Sequence, residues 1–462
     1  MSVFSPPAER RDGLRTDLYQ LTMAAAYHEA GLEHTATFEL FTRRLHPNRG
    51  YWVAAGLEQA LDYLEGLRFE GEQLDYLAGL PLFAGAHHAD FFERLREFRF
   101  EGEVWAVPEG TPVFPYEPLL RVTAPAIQAQ VLETYLLSLV NFQTLIASKA
   151  ARVWFACRGH DFVDFGTRRA HGPEAAELAA RAAFLAGAWG TSNVEAGFRL
   201  GIPVTGTFAH SWVMSFDDED EAFRRYAAAF PGATTLLIDT YDTVAAARRI
   251  VERGLECKAV RLDSGDLRQL SLDVRRVFDE GGRGEVRIAA SGDLNEEKIE
   301  AMEEAGCAVD LYGVGTEMVT SKDCPSLGGV YKVVATCGTS GAARHPIKLS
   351  SSKRSWPGVK QVYRREEDGR FAGDVIALAD EPAPAGTPLL VRVMEGGRRI
   401  APSPALTAAR ARCLEQLRKL PADVARIQSP GPYPVERTAA AVALADQAHH
   451  DALQRLERGG TR

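Results

Sequence analysis

Short aliphatic runs and helical stretches take turns through the middle of this chain, and that alternation limits the fold more than any other feature. The runs predict strands over 162–165, 204–208, 234–238, 259–262, 286–290 and 310–314. Helices are predicted between them over 172–188, 218–229, 244–254, 267–281 and 295–305. Strands joined through helices pair in parallel, whereas a tight hairpin joins only antiparallel neighbours. Repeated units of this length, six in series, predict an α/β barrel.

The flanks read differently. A helix is predicted over 16–30, with Thr16 or Asp17 as cap and Gly31 as stop. The run TATFELFT alternates as a strand over 35–42, and 57–64 and 91–98 read as helical. The stretch 103–122 is strand-rich and punctuated by prolines, as at a sheet edge. Strands return over 330–336, 346–349, 361–364 and 389–393, and helices are predicted over 405–420 and 439–458. The expected domains are an N-terminal sheet and helix domain over 1–125, a barrel over 126–328, and a helical extension over 401–462.

Composition removes several classes. The net charge is −9 and the pI near 5.8, so the basic face of a nucleic-acid binder is missing. Six cysteines are scattered with no CxxC pair, which reads as reduced thiols in a cytoplasmic protein rather than a zinc site. The apolar stretch 131–150 carries Glu133, Asn141, Gln143 and Lys149, so a buried helix is expected there and no membrane span. The first residues show no apolar leader.

Chemistry collects at the ends of the predicted strands. They close on Asp164-Phe165-Gly166-Thr167-Arg168-Arg169, Thr207-Phe208-Ala209-His210, and Asp239-Thr240-Tyr241-Asp242. The later ones close on Arg261-Leu262-Asp263-Ser264-Gly265-Asp266, Ser291-Gly292-Asp293 and Gly313-Val314-Gly315-Thr316. Singly, each has a structural explanation: an Asp before a helix is often its cap, and a lone histidine is usually a core residue. Jointly they mark the C-terminal mouth of a parallel α/β fold, where active sites lie. Gly292, Gly313 and Gly315 let backbone approach a phosphate, and Thr316 adds a hydroxyl. Arg168 and Arg169 suit a second anion. Asp239, Asp242, Asp263 and Asp266 suit ribose hydroxyls or Mg²⁺. Phe165 offers a flat wall for an aromatic ring.

The chain resembles the nicotinate phosphoribosyltransferase family. The matching pieces are DLYQLTM (17–23), NRGYWVAAGLEQAL (48–61), FGTRRAHG (165–172), GTSNVEAG (190–197), GTFAHSWV (206–213), IDTYDT (238–243), VRLDSGDL (260–267), VGTEMVTS (314–321) and LGGVYK (327–332). They run in order to about residue 365, and the tail from about 400 is not diagnostic. The resemblance implies an irregular α/β barrel with a mixed sheet domain, 1–125 completed by 329–400. It implies a homodimer with shared active sites. The implied reaction joins nicotinate to phosphoribosyl diphosphate, with ATP hydrolysis coupled and Mg²⁺ as the metal.

By the same resemblance, His210 is the histidine that ATP phosphorylates, and His210, Asp263 and Arg261 are the catalytic group. Tyr19 and Phe165 sandwich the pyridine ring. Thr207, Arg261 and Ser192 lie at the nicotinate side. Gly292, Gly313, Gly315 and Thr316 cradle the ribose phosphate, and Arg168, Asp239 and Asp263 meet the diphosphate and ribose. Mg²⁺ is expected through the diphosphate, with Asp239 or Asp263. A sister family that takes nicotinamide has an acid where this chain has Ser192. Quinolinate phosphoribosyltransferases lack the histidine, and a silent binding protein of the same fold is the remaining alternative.

Overall fold

The computed structural model describes residues 4, 12–85, 88–338, 341–349 and 356–459. By internal contacts the chain falls into two units, Met1–Leu145 with Ser326–Arg462, and Ile146–Pro325.

The first unit is organised on a seven-stranded sheet. Its order is Ala343–Arg344, Gly329–Cys337, Thr35–Thr42, Leu120–Pro125, Glu103–Ala106, Val391–Glu395 and Arg398–Arg399. Every neighbouring pair is antiparallel. Thr35–Thr42 is buried at every residue but the first, because it is a middle strand covered on both faces. Its Phe38 stacks on Tyr331 with ring centroids 4.7 Å apart. A four-stranded sheet runs Thr387–Pro388, Lys360–Glu367, Arg370–Leu378 and Val435–Arg437. The unit therefore mixes early and late segments in one core, as an α+β domain can. Helices Leu406–Lys419 and Ala439–Gly459 belong to it as well.

Two expectations in this unit need correction. Residues 346–349 form a loop, not a strand; Pro346 has no N–H to give a ladder. The strand expected over 389–393 is two pieces, Thr387–Pro388 and Val391–Glu395, which lie in different sheets. The nine-residue strand Arg370–Leu378 was hidden by Gly373 and by Asp374, a buried acid gripped by Arg364.

The second unit holds a six-stranded parallel sheet. Its order is Gly190–Thr191, Asp161–Asp164, Leu311–Val314, Arg287–Ala290, Ala259–Leu262 and Thr235–Leu237. Phe162, Val163, Leu236, Leu237, Val260, Leu262, Ile288, Tyr312 and Val314 are buried, which is why these short runs form strands at all. Helices Thr243–Glu252, Leu267–Glu280 and Glu296–Glu304 begin on side-chain caps from Asp242, Asp266 and Asn295.

The strand expected over 204–208 is absent as such. Val204 alone makes a bridge, parallel to Thr191. Thr191 N donates to Pro203 O and Thr205 N to Thr191 O, both at 3.0 Å. The opposite edge is met by a side chain: Thr207 Oγ1 donates to Thr235 O at 3.1 Å. The sheet thus curls into an irregular barrel whose last wall is loop. Pro203 cannot donate, and the glycine and threonines after it have no apolar alternation to bury. The short strand Gly190–Thr191 and helix Val194–Leu200 lie in a stretch with no periodic signal.

Candidate active site

Five polar side chains converge at the C-terminal mouth of the parallel sheet. Arg261 is the hub. Its Nε donates to Ser291 Oγ at 3.0 Å, its Nη2 lies 3.1 Å from Asp263 Oδ1, and its Nη1 lies 3.5 Å from Phe208 O. Ser291 Oγ also donates to Asp263 Oδ1 at 2.5 Å. Arg261 and Asp263 are two apart on one strand and its extension, so they project to the same side. Burial alone would raise the Asp263 carboxyl. The Ser291 hydroxyl, the Arg261 guanidinium and His210 outweigh it and hold the group below the ordinary range, ionised at neutral pH.

Asp239 sits beside them, 2% exposed. Its Oδ2 accepts from Asp263 N at 2.9 Å and from Ser264 Oγ at 2.7 Å. Its Oδ1 is buried and receives no hydrogen bond from the described residues. His210 Nε2 lies 3.9 Å from that oxygen and 4.0 Å from Asp263 Oδ2. The other ring nitrogen, Nδ1, is 3.2 Å from Thr240 Oγ1. His210 opens the one-turn helix His210–Val213 and is partly exposed.

A second group of contacts shapes the wall next to this cluster. Asp164 is 1% exposed, and burial pushes its carboxyl up to about 6. Its Oδ1 accepts from Gly166 N at 2.8 Å and its Oδ2 from Thr191 Oγ1 at 2.7 Å, while Asp164 O accepts from Ser192 N at 2.8 Å. One buried acid therefore fixes both the Phe165 turn and the Ser192 turn. The Phe165 ring lies over Gly313, where a Cβ would come within 2.4 Å of it. Its centroid is 6.0 Å from the Arg261 guanidinium. Gly292 has φ +103°, and a Cβ there would fall 2.1 Å from Asp263 O, so only glycine fits that turn.

The structure thus joins His210, Asp239, Asp263, Arg261, Gly292, Gly313 and Phe165 in one neighbourhood. Gly315 faces the Phe165 carbonyl, and Thr207 is used at the barrel edge. Ser192 borders the group through Asp164. No hydrogen bond among the described residues links Arg168 or Thr316 to the cluster; Arg168 is exposed on the turn Thr167–Arg169. Tyr19 belongs to the first unit, on helix Leu18–Glu29, and is 49% exposed. Asp242 and Asp266 are helix caps, and their carboxylates accept from Ala245 N at 2.9 Å and Gln269 N at 3.0 Å. Asp164, Ser291, Thr240, Thr191 and Ser264 were not singled out in advance. Their short polar side chains at strand ends were the only signal.

Among the described residues no three His, Cys, Asp or Glu side chains form a self-sufficient metal site. The pair Asp239 and Asp263 suits Mg²⁺ nonetheless, because that ion is usually held by one or two carboxylates completed by water and substrate oxygens. The bare Asp239 Oδ1 is the atom that fits it.

Three family models cover the chain. The nicotinate phosphoribosyltransferase N-terminal domain matches residues 14–141, the family's central model 160–335 and its C-terminal domain 385–444. The chain belongs to the nicotinate phosphoribosyltransferase family. A nicotinate phosphoribosyltransferase of Mycobacterium tuberculosis is 45% identical over 430 residues, 91% of this chain and 90% of the relative. One from Bacillus subtilis is 42% identical over 381 residues, 80% of this chain and 76% of the relative. The crystal structure of human nicotinic acid phosphoribosyltransferase superposes with a TM-score of 0.81 at 31% identity, covering 94% of this chain and 99% of that one. These relatives are enzymes, the chain matches them over most of their length, and it is an enzyme of the same family. No described helix is long and apolar enough to cross a membrane.

Proposed function

We propose that the chain joins nicotinate to phosphoribosyl diphosphate, giving nicotinate mononucleotide and diphosphate, with ATP consumed through phosphorylation of His210. The carrying observation is the set of His210, Asp239, Asp263 and Arg261 gathered within one mouth in a chain of this family. The bond from the anomeric carbon to the diphosphate oxygen breaks, and the oxygen leaves with the electron pair. The pyridine nitrogen of nicotinate supplies the pair for the new bond, so no general base is needed. The chain has to orient the ring and steady the charges. Phe165, held over Gly313, gives the ring one flat face. Arg261 beside it offers a fork for the nicotinate carboxylate. Asp239 and Asp263 would hold Mg²⁺, which supplies positive charge against the departing diphosphate. Arg168, exposed and basic, reaches the same anion.

His210 is set for its own step. If Nδ1–H donates to Thr240, Nε2 keeps its lone pair on the side of Asp239 and Asp263 and is the nucleophile for the γ-phosphorus of ATP. The phosphorus–oxygen bond to ADP breaks as the nitrogen–phosphorus bond forms. Two carboxylates near 4 Å from Nε2 oppose an incoming phosphoryl group, so that step needs a cation. Ser192 carries no charge, which leaves the acid substrate unopposed; a carboxylate there would favour nicotinamide.

The test is turnover with phosphoribosyl diphosphate, Mg²⁺ and ATP, using nicotinate, nicotinamide and quinolinate in parallel. Nicotinate should be used far better than either. ATP should leave an acid-labile, alkali-stable phosphate on the wild type and none on His210→Ala. Full nicotinate-stimulated ATP hydrolysis by His210→Ala would sink the assignment of that residue.

A further inference from the structure

Lys149 is a buried cation outside the cluster just described. Lys149 lies on the helix Glu133–Ala156, and its side chain is 1% exposed. Its Nζ is 2.7 Å from Glu296 Oε2 and 2.7 Å from Asp323 Oδ1. Arg152, three residues on, donates from Nε to Glu296 Oε1 at 2.8 Å. Burying an ammonium opposes folding unless it is fully paired, and an apolar side chain often packs as well. Packing alone therefore gives little reason for a lysine here.

The reason lies in what the two carboxylates are attached to. Glu296 is the first residue of helix Glu296–Glu304 and follows closely on the Ser291-Gly292-Asp293 turn. Asp323 ends the segment that carries Gly315 and Thr316. These two turns leave neighbouring parallel strands, Arg287–Ala290 and Leu311–Val314. Both segments carry residues in the left-handed region, which the surrounding structure has to hold: Gly292 has φ +103°, Asp293 φ +48° and Ser321 φ +42°. A single ammonium ties the far ends of both. Arg152 adds a second cation on Glu296.

We infer that Lys149 is a positioning residue for the phosphate end of the site, fixing the spacing of the Gly292 turn and the Gly315–Thr316 turn so that both present their backbone to one phosphate group. This rests on the proposed function and on those turns cradling the ribose phosphate, as the family resemblance implies. Asp323 is 28% exposed, so its charge can be removed without stranding a buried partner, and Lys149 keeps Glu296. That makes it the clean handle.

The experiment compares Asp323→Asn, Lys149→Met and the double variant in the full chain. A turn displaced by about an ångström costs roughly ten-fold or more in use of the ligand it holds. KM for phosphoribosyl diphosphate should therefore rise about ten-fold in Asp323→Asn and further in Lys149→Met, with KM for nicotinate held within about two-fold. If the Asp323 carboxylate acts on the turn through the ammonium, the double variant should match Lys149→Met. Amides of 291–295 and 315–322 should exchange faster in Asp323→Asn, at an unchanged melting temperature. Unchanged KM values with unchanged exchange would overturn the inference. Equal losses for both substrates together with a lowered melting temperature would assign Lys149 to the fold and overturn it too. Should the wild type fail to use phosphoribosyl diphosphate at all, the proposed function falls, and the exchange comparison still decides whether Lys149 ties the two turns.

Discussion

Arg261 shows how a residue can be structural and functional at once. Its three contacts, to Ser291, Asp263 and Phe208 O, hold the mouth together before any ligand arrives. Arg261→Lys keeps the charge and loses the fork. KM for nicotinate should rise while KM for phosphoribosyl diphosphate stays near the wild-type value. Steady-state kinetics with each substrate varied separately decides it, and a lowered melting temperature with normal KM values would make the residue a strut only. Asp164 makes a different prediction. Its carboxyl titrates near 6 when folded and near 3.8 when unexposed to burial, so the folded state binds the extra proton between those values. Stability from this group is present at low pH and is lost as pH rises toward the folded value, levelling off above it. Asp164→Asn cannot titrate. Its stability relative to wild type should improve by about 1.5 kcal/mol between pH 5 and pH 7.5, an order-of-magnitude figure from the two titration points. Denaturant titrations of both proteins at each pH measure it. A difference independent of pH would mean that Asp164 keeps an ordinary carboxyl.

Among the elements, the turns after the strands are the proposed ligand contacts, and Gly292 is the sharpest case. An alanine Cβ would meet Asp263 O at 2.1 Å in a backbone of φ +103°, so the turn must move. Gly292→Ala should destabilise by about 1–3 kcal/mol and weaken phosphoribosyl diphosphate more than nicotinate. Calorimetry and the two KM values check both parts; normal kinetics would place Gly292 outside the phosphate end. The strands themselves were largely legible. Runs such as 259–262 are apolar because both faces are covered, and that leaves a plain mark in the sequence. Thr35–Thr42 was legible to the residue, since polar residues flank it on both sides. Gly190–Thr191 was not, because two residues have no period. The 204–208 run suggests a strand through Val204 and Phe208, although Pro203 cannot donate to a ladder and Gly206 weakens one. In the site, Arg261 and Asp263 were legible from their spacing. The bond from Asp263 N to Asp239 and the hold of Asp164 on two turns depend on strand order, which spacing alone does not give.

At the scale of the whole molecule, the question is where Tyr19 acts. Helix Leu18–Glu29 buries Gln20, Leu21, Ala24 and Ala25 and leaves Leu18, Tyr19 and Met23 outward. Burial, with Glu133 and Asp17 nearby, raises the Tyr19 phenol, so the ring stays neutral. If that face serves a second copy's barrel, Tyr19→Ala and His210→Ala should complement. In exchanged mixtures about half the dimers are mixed, each with one intact site, and activity should return to roughly a quarter of wild type. Two differently tagged chains verify the exchange. No recovery despite exchange would return Tyr19 to its own chain's site. Within the barrel, the wall leading to His210 is the odd one. Its backbone ties to the sheet are two bonds at Thr191; elsewhere side chains hold it, through the Thr207 hydroxyl to Thr235 O, Arg261 to Phe208 O and His210 to Thr240, where the other walls have ladders. The ring proposed to gain and lose a phosphate therefore stands on the stave of the cask with the fewest ladder bonds, so its movement would ask least of the rest.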